Sequence, residues 1–199
     1  MPTSKPGWDR QNLRLLSSST FCIPASQKCF VAKARIIGSD QIHFAIDRLA
    51  SAISARYASR RHLILLGIAN GGVELARRLA VRLATLSPQL STKTGTLDIS
   101  FHRDDIGRQP IPKEFIPSHI PWDINDAPVV LVDDVLFSGR TAKAALDELF
   151  DHGRPAQVEL AVLIDRGGRK LPIAADHTGL VIETDDSEKV VVTLDSARS

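Results

Sequence analysis

One stretch of the chain, Val129–Thr141, constrains the fold more than any other. It begins with four apolar residues, which is typical of a strand buried on both faces, as in a parallel sheet. Two adjacent carboxylates, Asp133 and Asp134, follow directly, and a short turn then leads into a helix that we predict over Thr141–Phe150. The stretch therefore predicts a strand–turn–helix unit of an α/β protein, with acidic residues at the carboxyl end of its strand.

The same alternation of strands and helices continues through most of the chain. Apolar residues recur at helical spacing over Asp40–Tyr57, where Asp40 is a candidate N-cap, and over Val73–Leu86. Ser87–Gly95 is predicted to be a loop. The predicted strands are Leu63–Leu66, Thr96–Phe101, Val129–Val132, Val158–Ile164, Val181–Ile182 and Val190–Leu194, the last two as edge or hairpin strands. This order predicts a mostly parallel twisted sheet with helices on both faces, whose ligands gather beyond the carboxyl ends of the strands.

Length and charge predict one globular domain with a basic extension in front of it. The chain has 199 residues, 43% of them hydrophobic, and a net charge of +2, but residues 1–35 alone carry six basic residues and one Asp. We predict a disordered basic extension over residues 1–30 and a single domain over 31–199; a targeting role is the alternative for the extension. Both cysteines, Cys22 and Cys29, lie in the extension, which favours a reducing, cytoplasmic setting, and no apolar run is long enough to span a membrane.

The turn after the two acids has the properties of an anion site. Ser138 and Gly139 open the predicted helix, where free backbone N–H groups and the helix dipole attract a phosphate. Carboxylates such as Asp133 and Asp134 suit ribose hydroxyls, which donate hydrogen bonds to charged acceptors. A Walker A loop is a poorer match, because Asp134–Phe137 stands where its glycine-rich pattern would lie.

This segment strongly resembles the phosphoribosyl-pyrophosphate (PRPP) motif of the type I phosphoribosyltransferases, and its residues are most similar to those of the PyrR type. The resemblance implies that the chain has the type I fold with a flexible lid loop, and that it converts uracil and PRPP to UMP and pyrophosphate. Mg²⁺ would be held mainly by the substrate, near Asp104, Asp133 and Asp134. The residues that would bind the ribose and its 5′-phosphate are Asp133, Asp134, Val135, Leu136, Phe137, Ser138, Gly139, Arg140 and Thr141.

Two further segments resemble parts of the same site that handle pyrophosphate. Ala69, Asn70, Gly71 and Gly72 stand where the family has its pyrophosphate loop, although close relatives usually carry Thr-Arg in place of Asn70-Gly71. The segment 102–121 holds four prolines and many charges, and resembles the flexible catalytic loop. There Arg103 would reach the leaving pyrophosphate, while Asp104 and Asp105 would order the lid or assist Mg²⁺. Asp133, Asp134 and Arg103 are thus the candidate catalytic residues.

A fourth segment, Asp165, Arg166, Gly167 and Gly168, resembles the part that shapes the uracil pocket. Gly168 stands where relatives commonly have His, and Arg166 and Arg169 could equally be exposed charges. Phe137 occupies the position at which purine-salvage relatives carry an Asp that acts on the purine ring. Because a phenyl ring neither accepts nor donates a proton, this residue argues against hypoxanthine or guanine.

The resemblance also leaves two other functions open. Relatives of the PyrR type bind the leader RNA of pyrimidine genes, which requires a basic face. Here the first predicted helix carries Asp47 at a position matching the RNA-binding face of relatives, and a carboxylate that faces RNA phosphates is unfavourable. Arg56, Arg60, Arg61 and the basic extension could compensate. A sensor that binds UMP or PRPP with little catalysis is the third interpretation. Relatives are typically dimers or higher homo-oligomers, so a homo-oligomer is expected.

Overall fold

The computed structural model describes residues 13–17, 36–69, 71–100, 102, 117–185 and 188–194. Within these residues the helices are α1 (Ser39–Arg56), α2 (Gly71–Leu86) and α3 (Arg140–His152). The strands in the same part of the chain are β1 (Leu13–Ser17), β2 (Ile36–Ile37), β3 (His62–Ile68), β4 (Ser91–Leu97), β5 (Pro128–Leu136), β6 (Gln157–Asp165), β7 (His177–Val181) and β8 (Glu188–Val192).

The main sheet has five parallel strands in the order β4-β3-β5-β6-β7. Its strands alternate side chains between two buried clusters, so both faces are covered. Leu63, Leu65 and Val130 pack with α1 and α2 on one face, whereas Ile64 and Leu131 pack with α3 on the other. The predicted parallel sheet with helices on both faces is confirmed.

Strand β4 differs from its predicted position. The segment Ser91–Leu97 is a strand throughout and pairs with β3 from His62↔Ser91 to Ile68↔Leu97, so the prediction of a loop over Ser87–Gly95 and a strand beginning at Thr96 is wrong. Most of β4 is polar and, within the strand, only Leu97 is buried, because β4 lies at one edge of the sheet. An edge strand needs no apolar run, which removed the signal used to predict it.

The two C-terminal strands lie at the edges of their sheets, which confirms the edge alternative of the prediction, but their bounds differ from it. Strand β7 begins at His177, earlier than the predicted Val181–Ile182, and pairs parallel to β6 rather than in a hairpin. Strand β8 belongs to a second sheet of three strands in the order β2-β1-β8, in which β1 is antiparallel to both neighbours. Residues 13–17 of the predicted extension therefore form its central strand, while the other residues of the range 1–30 lie outside the described residues.

The helices begin within a few residues of their predicted starts. Gly38, not Asp40, is the N-cap of α1. Asp40 lies in the first turn, where its negative charge interacts favourably with the positive end of the helix dipole. Helix α2 includes Gly71 and Gly72 ahead of the predicted Val73. Among the described residues, no helix is both long enough and apolar enough to cross a membrane.

Candidate functional site

The carboxyl end of β5 carries the two adjacent acids. The strand runs past the predicted Val132 to Leu136, so both acids are part of it and their side chains alternate across the sheet. Asp133 is buried, with 7% of its surface exposed, and Asp134 is partly exposed. The Asp134 N–H donates a 2.9 Å hydrogen bond to Asp133 Oδ1, which fixes the Asp133 carboxyl group at the strand end.

Both carboxyl groups resist ionisation. Burial raises the pKa of Asp133 well above its ordinary value, and the neighbouring charge of Asp134 raises it further. Burial also raises the pKa of Asp134, although hydrogen bonds to its carboxylate oppose the shift. A ligand that brings hydroxyl donors or a cation to this point would stabilise the ionised forms. The pair therefore suits a polyhydroxyl ligand accompanied by a metal ion.

Two glycines let the start of α2 approach the end of β5. A Cβ atom at Gly72 would lie 1.9 Å from the carbonyl oxygen of Val132, and one at Gly71 would lie 2.3 Å from the carboxyl group of Asp134. Neither separation is possible for a real side chain, so glycine is required at Gly72 and the Asp134 carboxylate occupies the space beside Gly71. A side chain at Gly71 would therefore require the Asp134 carboxylate to move.

The turn from β5 into α3 leaves the helix N-terminus open. Gly139 is the N-cap with φ +90°, a conformation that favours glycine. The Arg140 N–H donates to Ser138 Oγ at 3.3 Å, and the carbonyl oxygen of Ser138 accepts the N–H groups of Lys170 and Leu171 at 3.0 Å each. The turn is thereby held from the β6 side, while Arg140 and Thr141 are exposed at the first turn of the helix. This geometry is typical of an anion site.

The loop after β6 is fastened to the end of β5 by Arg169. Its guanidinium donates to the carbonyl oxygen of Phe137 at 2.8 Å and to that of Ile173 at 3.0 Å, and pairs with Asp165 Oδ2 at 2.5 Å. Asp165 Oδ1 also accepts the N–H of Gly167 at 2.9 Å. Arg169 is therefore not an exposed charge: it clamps the β6 loop to the end of β5, a role that its position in the sequence does not indicate.

Arg166 and Gly168 enclose the ring of Phe137. The Arg166 guanidinium lies 4.1 Å from the ring centroid, and it donates to Thr184 Oγ1 at 2.9 Å and to the carbonyl oxygen of Asp185 at 3.0 Å. Arg166 is 8% exposed, so it is not an exposed charge either. A Cβ atom at Gly168 would lie 2.4 Å from the Phe137 ring. A side chain at Gly168 would therefore require the Phe137 ring to move.

A cavity of about 340 Å³ lies beside Asp134. Its lining residues are Gly71, Glu74, Asp134, Val192, Thr193 and Leu194. Burial alone would raise the pKa of Glu74, but hydrogen bonds from Arg77 and Arg78 outweigh it and lower the pKa. Glu74 and the segment after β8 were not among the predicted site residues, because nothing in the sequence indicates that the C-terminal strand reaches this end of β5.

The structure brings together three of the four predicted segments. The ends of β3, β5 and β6 place Ala69, Gly71 and Gly72, the two acids with their turn, and Asp165 to Gly168 along one edge of the sheet. The predicted site residues Asn70, Arg103, Asp104 and Asp105 lie outside the described residues.

Comparison with known families and sequences gives a consistent result. The model of the phosphoribosyl transferase domain matches residues 38–197. A bifunctional protein PyrR of Deinococcus deserti is 45% identical over 165 residues, which cover 81% of this chain and 88% of that protein. The bifunctional protein PyrR of Bacillus subtilis is 44% identical over 165 residues, covering 82% and 91%.

Solved structures share the fold at much lower identity. A hypoxanthine-guanine phosphoribosyltransferase of Bacillus anthracis aligns with a TM-score of 0.59 at 19% identity, over 73% of this chain and 82% of that one. A hypoxanthine phosphoribosyltransferase of Trypanosoma cruzi aligns with a TM-score of 0.57 at 19% identity, over 77% and 91%. These likenesses support the fold.

Proposed function

The chain belongs to the phosphoribosyl transferase domain family, among the PyrR proteins, and from this membership we propose that it transfers the phosphoribosyl group of PRPP to uracil. The products would be UMP and pyrophosphate. The observation that carries the proposal is the contact between Asp134 and Gly71, because it joins the strand-end acids to the glycine loop at a cavity. In the reaction, the bond from ribose C1 to pyrophosphate breaks, the bond from C1 to uracil N1 forms, and N1 loses its proton.

The ribose and its 5′-phosphate would be held by the β5–α3 segment. Asp133 and Asp134 would accept hydrogen bonds from the ribose hydroxyls, and Asp134 would also stabilise positive charge on the ring as the C1 bond breaks. The turn Phe137–Thr141, opening at the N-terminus of α3, would bind the 5′-phosphate. Binding energy from this remote phosphate would then hold the reacting carbon in place. Val135 and Leu136 would contribute as parts of the same segment.

The leaving pyrophosphate would lie against the start of α2. Ala69, Asn70, Gly71 and Gly72 would offer backbone N–H groups to it, and the absence of a side chain at Gly71 and Gly72 permits the close approach. Arg103 of the proposed lid would reach the negative charge of the leaving pyrophosphate, while Asp104 and Asp105 would order the lid or assist Mg²⁺. Closure of the lid would exclude water from the activated sugar. Because Asn70 and the lid residues lie outside the described residues, their roles depend on the resemblance.

Uracil would lie between the β6 loop and the ribose. The backbone groups of this loop would form hydrogen bonds with the O2, N3 and O4 edge of the base. The predicted residues are Asp165, Arg166, Gly167 and Gly168. Phe137 would supply an apolar wall, since Arg166 and Gly168 hold its ring in place. A phenyl ring favours a base that needs no proton transfer at this position.

The donor set at this edge of the sheet fits Mg²⁺. Carboxylate oxygens are the ligands that Mg²⁺ prefers, and a cation near Asp133 and Asp134 would offset the burial that raises their pKa values. We propose that substrate oxygens supply most of its ligands and that Asp104 lies nearby. When bound, the ion would neutralise charge on the pyrophosphate. The two acids would meanwhile orient the ribose.

The test is pyrophosphate release from PRPP and Mg²⁺ by the full chain. We expect release that depends on uracil and yields UMP, with no comparable release when hypoxanthine or guanine replaces uracil. Release with a purine but not with uracil would contradict the assignment of the base. Binding of UMP without any turnover of PRPP would instead support the sensor interpretation.

Binding of a pyrimidine leader RNA is the second candidate function. The PyrR relatives are named bifunctional, and the Asp47 carboxylate, the unfavourable group on α1, forms an ion pair with Arg82 of α2. That pair offsets the negative charge of Asp47. Arg60 and Arg61, which follow α1, are exposed, whereas Arg56 pairs with Glu159. A mobility shift with the leader RNA that weakens as salt rises would support this function, and no shift at low salt would contradict it. A homo-oligomer and a cytoplasmic setting remain predictions.

A further inference from the structure

A cluster of histidines and carboxylates lies away from the proposed substrate site, on the outer face of α3. One ligand atom from each of His102, Glu148 and Asp151 lies within 4.8 Å of the other two. The His102 Nε2 atom is 3.0 Å from Glu148 Oε2 and 3.4 Å from Asp151 Oδ2. Glu148 is about 12 Å along the helix from Arg140, at 1.5 Å per residue. The cluster therefore does not share ligands with the phosphate-binding turn.

The orientation of Glu148 leaves one of its oxygens facing the cluster. Its Oε1 atom accepts a 2.6 Å hydrogen bond from Ser118 Oγ and is 3.1 Å from His152 Nε2. Its Oε2 atom is the one that faces His102. Metal-binding carboxylates are commonly held in this way by an outer hydrogen bond, which sets the direction of the free oxygen.

The charge arrangement also favours a cation. Glu148 and Asp151 are three residues apart on α3, so their negative charges lie on one face of the helix and repel each other. A single imidazole between them forms at most one strong hydrogen bond through Nε2. A divalent ion would satisfy the imidazole and both carboxylates together.

We propose that His102, Glu148 and Asp151 form a site for a divalent transition metal of the Zn²⁺ class, with His152 and Ser118 orienting Glu148. Tetrahedral Zn²⁺ with ligand bonds of about 2.0–2.2 Å places its ligand atoms roughly 3.3–3.5 Å apart, close to the 3.0 and 3.4 Å separations from His102 Nε2. An imidazole ligand disfavours Mg²⁺, which prefers oxygen. The site is thus distinct in chemistry from the Mg²⁺ proposed for PRPP, and the fourth position is left to water.

The experiment is a titration of the untagged full chain with Zn²⁺ against a coloured chelator, without PRPP. The parent carries Cys22→Ser and Cys29→Ser, so that thiols do not compete for the ion. We expect one Zn²⁺ per chain and no comparable binding of Mg²⁺. His102→Ala and Asp151→Asn should each weaken Zn²⁺ binding by at least about tenfold. His62→Ala, which removes an exposed imidazole at the start of β3, should leave it unchanged.

Thermal unfolding gives a second measurement on the same proteins. Zn²⁺ should raise the unfolding midpoint of the parent and of His62→Ala, and should raise that of His102→Ala much less, because a ligand stabilises the state that binds it. Equal Zn²⁺ affinity in the parent and in His102→Ala would overturn the proposal and reduce the cluster to a set of ion pairs. Binding of Mg²⁺ as tight as that of Zn²⁺ would overturn the class of metal.

Discussion

Asp133 shows at the scale of one residue how a binding site can oppose stability. Burial and the adjacent Asp134 raise its pKa in the folded chain, so folding favours the protonated form. The resulting stabilisation is complete below the pKa of the unfolded chain, about 3.9, and is lost as pH rises through the higher folded pKa. A residue kept for stability alone would not be an acid at this position.

The first prediction concerns the substitution Asp133→Asn, which removes this penalty while its amide oxygen still accepts the Asp134 N–H. We expect the free energy of unfolding to exceed that of the parent near pH 8, and the difference to shrink toward pH 4. Denaturant unfolding across this pH range measures it. A difference that is constant with pH, or a variant less stable at pH 8, would contradict the assigned burial penalty.

Gly72 is the second residue on which the site depends, because any side chain there meets the backbone of β5. Gly72→Ala places a Cβ atom 1.9 Å from the Val132 carbonyl oxygen, and we expect a loss of about 1–3 kcal/mol or more in unfolding free energy. Gly38→Ala is the matched control, since a Cβ there has no heavy atom within 4 Å, and should cost less than about 1 kcal/mol. Equal losses in the two variants would show that the close approach is not as described.

At the scale of elements, the side chain of Arg169 joins the ends of β5 and β6. We expect Arg169→Lys to keep the charge but lose the planar fork, which should lower the free energy of unfolding by about 1–3 kcal/mol and raise the KM for uracil. The control is Arg154→Lys, because Arg154 also donates to backbone carbonyls, those of Phe150 and Gly153, but on the exposed end of α3. A KM for uracil that is unchanged by Arg169→Lys would contradict a link between this clamp and the base.

The buried elements could be predicted from sequence and the polar ones could not. Strands β5 and β6 are apolar because helices cover both faces, so their runs identify them directly. Strand β4, with the sequence Ser91–Leu97, is defined by its backbone pairing to β3, which leaves little trace in composition. The bounds of strand β7 could not be predicted for the same reason: they are set by its parallel pairing to β6, which depends on where the chain lies after the β6 loop.

The candidate site was predictable to the extent that it is local in sequence. The acids and the turn of Asp133–Thr141 lie within one unit, and their residue types indicate their chemistry. The cavity lining from Glu74 and from Val192 to Leu194 was missed, because only the second sheet brings the C-terminal segment to this edge. The Arg169 clamp was missed for a related reason: an arginine in a glycine-rich loop looks the same in sequence whether it is exposed or bonded.

At the scale of the whole molecule, the N-terminal strand β1 supports the C-terminal one. Strand β1 lies between β2 and β8, and pairs with β8 from Leu13↔Val192 to Ser17↔Glu188. We expect deletion of residues 1–17 to lower the unfolding midpoint and raise the KM for PRPP relative to deletion of residues 1–12, because only the longer deletion removes the partner of β8. Identical unfolding midpoints and KM values in the two truncated chains would contradict this pairing.

The substitution Asp134→Asn tests most directly the proposal that the acids at the end of β5 hold the ribose of PRPP. The loss of one charge-assisted hydrogen bond of about 1.5–3 kcal/mol should lower kcat/KM for uracil-dependent pyrophosphate release by roughly 10- to 150-fold. The control Asp126→Asn makes the same change in the exposed turn before β5 and should retain full activity. Undiminished pyrophosphate release by the folded Asp134→Asn variant would contradict a role of these acids in holding the ribose.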